Sequence, residues 1–146
     1  MGKNPDIWLI SIDLGFNLFN DIRRDFPERF INTGASEMGA MGLAVGLALE
    51  GKIPFIYSIT NFLLYRPFET IRNYVAKENI KVILCGSGRD FDYHTEGWSH
   101  HSPDAKAVLD LFPTIHQYWP EPHEDIAEYV EHAIQADYPL FLSLKK

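Results

Sequence analysis

Short apolar runs, separated by longer helix-like segments, constrain this chain more than any other feature of it. Ile7-Trp8-Leu9-Ile10 and Val82-Ile83-Leu84 contain no polar side chain that breaks the run. A strand with one wet face alternates apolar and polar residues. An unbroken apolar strand is covered on both faces, which is the condition of a parallel sheet. Strands are expected over residues 7–12, 29–32, 54–59, 81–86, 114–118 and 140–144, and helices over 16–25, 36–50, 61–78, 103–111 and 122–136. This β-α alternation predicts an α/β fold with a doubly wound, mostly parallel sheet flanked by helices. At 146 residues the chain has the length of one domain, 1–146. A domain of that size buries roughly 68–70% of its unfolded surface, so it needs no staples. Ligands of such sheets sit beyond the carboxyl ends of the strands. Asp13, Glu37, Thr60 and Ser87 fall just past those ends.

Charge and composition exclude several classes. The net charge is −7, and no basic cluster tracks a phosphate backbone, so nucleic acid is not an expected partner. No apolar run approaches the ~18 residues of a membrane span, and the first residues, Met1-Gly2-Lys3-Asn4-Pro5-Asp6, lack the apolar run of a signal peptide. Cys85 is the sole cysteine, which excludes an internal disulfide and places the expected location in a reducing cytoplasm. It lies inside an apolar run and reads as inert core. Gly86-Ser87-Gly88-Arg89-Asp90-Phe91 begins like a dinucleotide fingerprint but lacks the third glycine.

The segment Ile31-Asn32-Thr33-Gly34-Ala35-Ser36-Glu37-Met38-Gly39-Ala40-Met41-Gly42 sets one acid at the mouth of a helix of small residues. Ala35, Gly39, Gly42 and Gly46 share one helical face. Each interior glycine costs about 0.5–1 kcal/mol relative to alanine, so close approach of another element must offset it. That element is either a neighbour inside this domain or a second subunit. Glu37 in the first turn gains ~0.3–1 kcal/mol from the helix dipole, with Ser36 as the expected N-cap. Phe62 and Tyr65, three apart near a helix start, share a face. They are suited either to core packing or to stacking on a flat heterocycle, with the tyrosine hydroxyl free to bond. His94, Glu96, His100 and His101 are all zinc-ligand types, but their spacing matches no familiar zinc pattern.

Four segments, in order, resemble the pyrimidine-binding domain of transketolases and deoxyxylulose-phosphate synthases. Pro27-Glu28-Arg29-Phe30-Ile31-Asn32 resembles the strand leading to the cofactor-activating glutamate, and the segment around Glu37 resembles the glutamate's helix. Ser58-Ile59-Thr60-Asn61-Phe62-Leu63-Leu64-Tyr65 resembles the aromatic wall of the aminopyrimidine site. Gly97-Trp98-Ser99-His100-His101-Ser102 resembles the motif that carries a substrate-contacting histidine. The chain departs from the family pattern in having Ile59 for an aromatic, Ser36 for a basic residue, Gly88 for a histidine and Glu96 for an aspartate.

The resemblance implies a Pyr-type thiamine diphosphate-binding fold. It implies that Glu37 bonds the cofactor's ring nitrogen N1′, that Ile59, Phe62 and Tyr65 line the ring, and that Glu96, His100 and His101 meet substrate, His100 as a catalytic group. No glycine-aspartate-glycine motif for the diphosphate occurs. The implied protein is therefore the pyrimidine-binding subunit of a split enzyme, inactive alone, whose PP-type partner binds the Mg2+. A heterotetramer is expected, with a homodimer when the chain is alone. The implied reaction moves a two-carbon ketol or acyl unit from a ketose or 2-oxo acid to an aldehyde. A 2-oxo acid decarboxylase or dehydrogenase component and a non-catalytic subunit are the alternatives.

Overall fold

The computed structural model describes residues 1–121 and 124–146. Six strands form one sheet: β1 (Ile7–Ser11), β2 (Phe30–Asn32), β3 (Ile53–Ile59), β4 (Ile83–Ser87), β5 (His116–Tyr118) and β6 (Leu140–Leu144). Their order is β2-β1-β3-β4-β6-β5, and every pairing is parallel.

Register explains the unbroken apolar runs. Ile10, Ile56, Leu84 and Phe141 line up across β1, β3, β4 and β6. All four are fully buried on one face, with Met41, Ala44, Leu63 and Val75 against them. One residue earlier, Leu9, Phe55, Ile83 and Leu140 form the matching row on the other face, under Phe19, Ile22, Ala133 and Ile134. Each such side chain contributes ~1.5–3 kcal/mol by leaving water. Since both rows are apolar, neither face of the sheet is left to solvent.

Among the described residues six α-helices flank the sheet: α1 (Asn20–Asp25), α2 (Glu37–Leu49), α3 (Thr60–Tyr65), α4 (Phe68–Thr70), α5 (Ala105–Leu109) and α6 (Ile126–Gln135). The continuous helix expected over 61–78 is interrupted. Pro67 has no N–H and its ring crowds the preceding turn. So α3 stops at Tyr65, α4 restarts at Phe68, and a π-helical stretch, Ile71–Ala76, follows. The helix expected from residue 16 begins only at Asn20. Gly15 and Asn17 both have positive φ, +80° and +68°, and a right-handed helix excludes that conformation. Asp125 caps α6 by accepting the Ala127 N–H at 2.8 Å. The expected start of that helix at Pro122 lies outside the described residues. Among the described residues no helix is long and apolar enough to cross a membrane.

Parallel strands place all their carboxyl ends along one edge. Glu37, Thr60 and the loop after Ser87 are therefore gathered there by topology alone.

Cys85 lies buried in the middle of β4, and burial pushes its thiol up to about 12. The native chain should resist iodoacetamide at pH 8, where almost no thiolate forms, and should alkylate promptly once unfolded in guanidinium. Mass spectrometry of the two samples checks this; rapid labelling of the native chain contradicts it.

Candidate active site

The chain leaves β2 through Gly34, at φ +63°, and enters α2 at Glu37. Ser36 stands at the N-cap position, but its side chain accepts no amide hydrogen bond, contrary to expectation. Its hydroxyl instead lies over Gly39, 2.9 Å from where a Cβ on that glycine would be. Glu37 is only 5% exposed. Its carboxylate accepts a 2.5 Å hydrogen bond from Nη1 of Arg66. The same guanidinium lies 3.9 Å from the centre of the Phe62 ring. Phe62 and Arg66 are four residues apart, so one turn of helix stacks them. On Phe62 the His100 ring stands edge-on, with centroids 4.9 Å apart, and Tyr93 lies beyond it at 6.1 Å. Glu37, Arg66, Phe62, His100 and Tyr93 thus form one continuous line of contacts.

The loop that carries His100 is fastened at several points. Thr60 Oγ1 donates to the Gly88 carbonyl at 2.7 Å. Asp90 and Ser102 pair their backbones, closing the loop's neck. Asn61 Nδ2 donates to the Ser99 carbonyl, and the Ser99 hydroxyl is 3.0 Å from His100 Nδ1. With Nδ1 so engaged, Nε2 is the ring nitrogen left for another group. Arg89 is buried: it donates to Ser143 Oγ at 3.1 Å, to the Ser143 and Pro120 carbonyls at 3.0 and 2.9 Å, and to Glu121 at 3.3 Å. Gly88 has φ +79°, and a Cβ there would collide with the Tyr93 ring. The Tyr93 ring fills the space beside Gly88, and its hydroxyl bonds Ser87 at 2.9 Å.

The remaining expected residues are distributed differently. Ile59 is buried at the end of β3, next in sequence to Thr60. Tyr65 does not join the Phe62 group: burial first, then the Asp104 carboxylate, push its ionisation up. Its hydroxyl is buried, near Asp104 but not placed to bond it. Glu96 sits on the exposed rim, bonded by Thr95 Oγ1 at 2.7 Å and Lys146 Nζ at 3.4 Å. The Thr95 bond, chiefly, holds its carboxyl below the usual range. His101 turns away from His100 to meet Phe91 and Trp98 at 5.2 and 6.1 Å. Among the described residues no three metal-ligating side chains converge, so the zinc reading of His94, Glu96, His100 and His101 has no geometric support.

The small-residue face of α2 is open. Among the described residues nothing lies within 4 Å of a Cβ built on Gly42 or Gly46. Tight packing inside this domain is therefore not what those glycines serve. Met38, Leu43 and Leu49 share the exposure.

Residues 1–146 match the family model described as the pyrimidine-binding domain of transketolase. The chain belongs to the transketolase family. It is 28% identical over 141 residues to a 33.6 kDa protein of the fasciation locus of Rhodococcoides fascians, covering 97% of this chain and 45% of that one. It is 30% identical over 121 residues to a subunit of the apulose-4-phosphate transketolase of Actinobacillus succinogenes, covering 83% of this chain and 39% of the relative. The chain thus spans less than half the length of these relatives. Among solved structures, a split-gene transketolase described as an inactive β4 tetramer superposes with a TM-score of 0.82 at 29% identity, over 99% of this chain and 46% of that one. The six-stranded parallel sheet flanked by helices is the transketolase pyrimidine-binding fold, and the family depends on thiamine diphosphate.

Sequence reasoning missed Arg66, Tyr93 and Asn61. The one signal for Arg66 is its spacing of four from Phe62 on a short helix.

Replacing Arg89 with methionine should lower stability by about 2–4 kcal/mol, because buried carbonyls and a hydroxyl lose their donor. Urea unfolding measures the loss, and amide exchange should quicken across residues 88–102. An unchanged midpoint contradicts the assigned anchoring.

Proposed function

We propose that residues 1–146 form the pyrimidine-binding half of a split, thiamine diphosphate-dependent, transketolase-like enzyme. The reaction class is transfer of a two-carbon ketol or acyl unit from a ketose or 2-oxo acid donor to an aldehyde. One observation carries the reading: a buried carboxylate, Glu37, is met by a flat, hydrogen-bond-donating cation stacked on Phe62. A guanidinium there has the shape and donor character of a protonated aminopyrimidine edge, so the residues present fit the cofactor's ring.

Glu37 would hold a proton against the ring nitrogen N1′, while Phe62 walls the ring. The cofactor, when bound, supplies carbanion stabilisation beside a substrate carbonyl. His100, with Nδ1 fixed by Ser99, presents Nε2 to a substrate oxygen as general acid or hydrogen-bond donor. We rank His100 above His101 and Glu96. His101 is turned toward Phe91 and Trp98, and Glu96 is bonded to Thr95 and Lys146.

The proposal includes a second subunit of the diphosphate-binding type that carries the Mg2+ site, in a heterotetramer. Helix α2 supports this. From Met38 to Leu49 no residue carries a charged, hydroxyl or amide side chain, yet Met38 is 50% and Leu49 68% exposed. A helix that is apolar all round is stable when buried all round. Gly39, Gly42 and Gly46 permit the backbone of a partner to approach closely. Two copies of this chain meeting through the same face is the homodimer expected without the partner. The inactive β4 assembly of the split-gene relative is consistent with a chain inactive alone.

In an enzyme reconstituted with a diphosphate-binding subunit, Glu37→Gln should abolish turnover while costing at most about 1 kcal/mol of stability. Steady-state assays with ketose and 2-oxo acid donors check this, and retained turnover contradicts the role of Glu37. In the same assays His100→Ala should lose far more activity than His101→Ala; equal losses contradict the ranking. The isolated chain, titrated with thiamine diphosphate and Mg2+ by calorimetry, should show no submicromolar binding. Tight binding there contradicts the split site.

A further inference from the structure

We infer that Arg66 is a specificity-determining residue of this site. Its guanidinium holds the place of a flat ring, so only a ring that offers a donor to Glu37 displaces it. The inference rests on the reading of Glu37 and Phe62 as ring-binding residues and adds to it a named competitor.

The geometry requires competition. The guanidinium carbon lies 3.9 Å from the centre of Phe62, which is van der Waals contact of ~3.5–4.0 Å. No second flat group fits on that part of the ring while Arg66 is there. Nη1 meanwhile uses Oε1 of Glu37 at 2.5 Å, the oxygen group that a ring N–H would seek. Arg66 therefore makes both contacts at once.

The same pair is built to exchange. Arg66 is 48% exposed and stands at the end of α3, one residue before the break at Pro67. A half-exposed ion pair is worth little, and a long side chain at a helix end has water to move into. Glu37 is different: it is 5% exposed, and a buried carboxylate left without a donor is costly. A neutral ring with no N–H edge would take Phe62 but strand Glu37. An amidine-like heterocycle, such as a 4-aminopyrimidine, replaces both contacts. Selectivity then comes from the carboxylate that must never be unpaired, and affinity from how readily Arg66 leaves.

The test is an NMR titration of the full chain with 4-amino-5-hydroxymethyl-2-methylpyrimidine, following backbone amides of α2 and α3. Wild type, Arg66→Ala, Arg66→Gln and each Arg66 variant combined with Glu37→Gln are compared, with dispersed amide spectra confirming that each is folded. Removing the competitor should tighten binding about tenfold, as expected when a site is freed for most of the time. Adding Glu37→Gln should abolish the gain. Equal or weaker binding by both Arg66 variants, still dependent on Glu37, overturns the inference while leaving the ring site standing. Binding that is absent in every variant, or indifferent to Glu37→Gln, overturns the ring reading and this inference with it.

Discussion

Burial of the sheet on both faces is the constraint from which the rest of the molecule follows. The rows Ile10–Ile56–Leu84–Phe141 and Leu9–Phe55–Ile83–Leu140 cross the same strands one residue apart. A one-residue slip would exchange the two faces. Here both faces are apolar, so the helices rather than polarity must fix each layer. Residues with special backbone or side-chain fit do so locally: Gly86 has no room for a Cβ between Thr60 and Phe141, and Gly88 none beside Tyr93. Once the strands run parallel, their carboxyl ends share an edge. Glu37, Thr60, Phe62 and the His100 loop meet there without any one segment encoding the meeting.

A buried acid at that edge needs a partner. Arg66 meets the need from a neighbouring helix, and Phe62 steadies the guanidinium from below. The arrangement is chemically suggestive because it is reversible on one side only. Arg66 can trade its partner for water, whereas Glu37 must have a donor. The all-apolar surface of α2 makes the same kind of demand at a larger scale, since an exposed helix without a polar face calls for a covering surface.

Much of this was legible in the sequence, for physical reasons. Strands buried on both faces leave continuous apolar runs, as in β1 and β4, and the alternation with helical segments marked the others, the half-exposed edge strands β2 and β5 included, so the parallel sheet followed. The position of Glu37 at the start of α2 was legible, because an acid at the head of a small-residue helix stands out in sequence. His100 and His101, both implied by the resemblance to meet substrate, point apart and meet different rings. The long helix over 61–78 was misread because periodicity survives across Pro67 even though the hydrogen-bond ladder does not. Tyr65 was grouped with Phe62 by spacing, but its hydroxyl lies near Asp104. Arg66 was invisible as a site residue, because an arginine on a short helix ordinarily reaches solvent. Only the fold brings Glu37 within its reach, across 29 positions of sequence. The open face at Gly42 and Gly46 was similarly undecided by sequence, since small residues serve an inner or an outer neighbour equally well.

The proposed hydrogen bond from Glu37 to the cofactor's ring nitrogen, in a site shared with a second subunit, is open to direct observation. The most direct measurement is the 15N resonance of thiamine diphosphate labelled at N1′, recorded in the complex of this chain with a diphosphate-binding subunit. N1′ should shift toward the protonated position with the wild-type chain and revert to the value of the unbound cofactor with Glu37→Gln. An N1′ resonance identical in the two complexes, with the cofactor demonstrably bound in both, would contradict it.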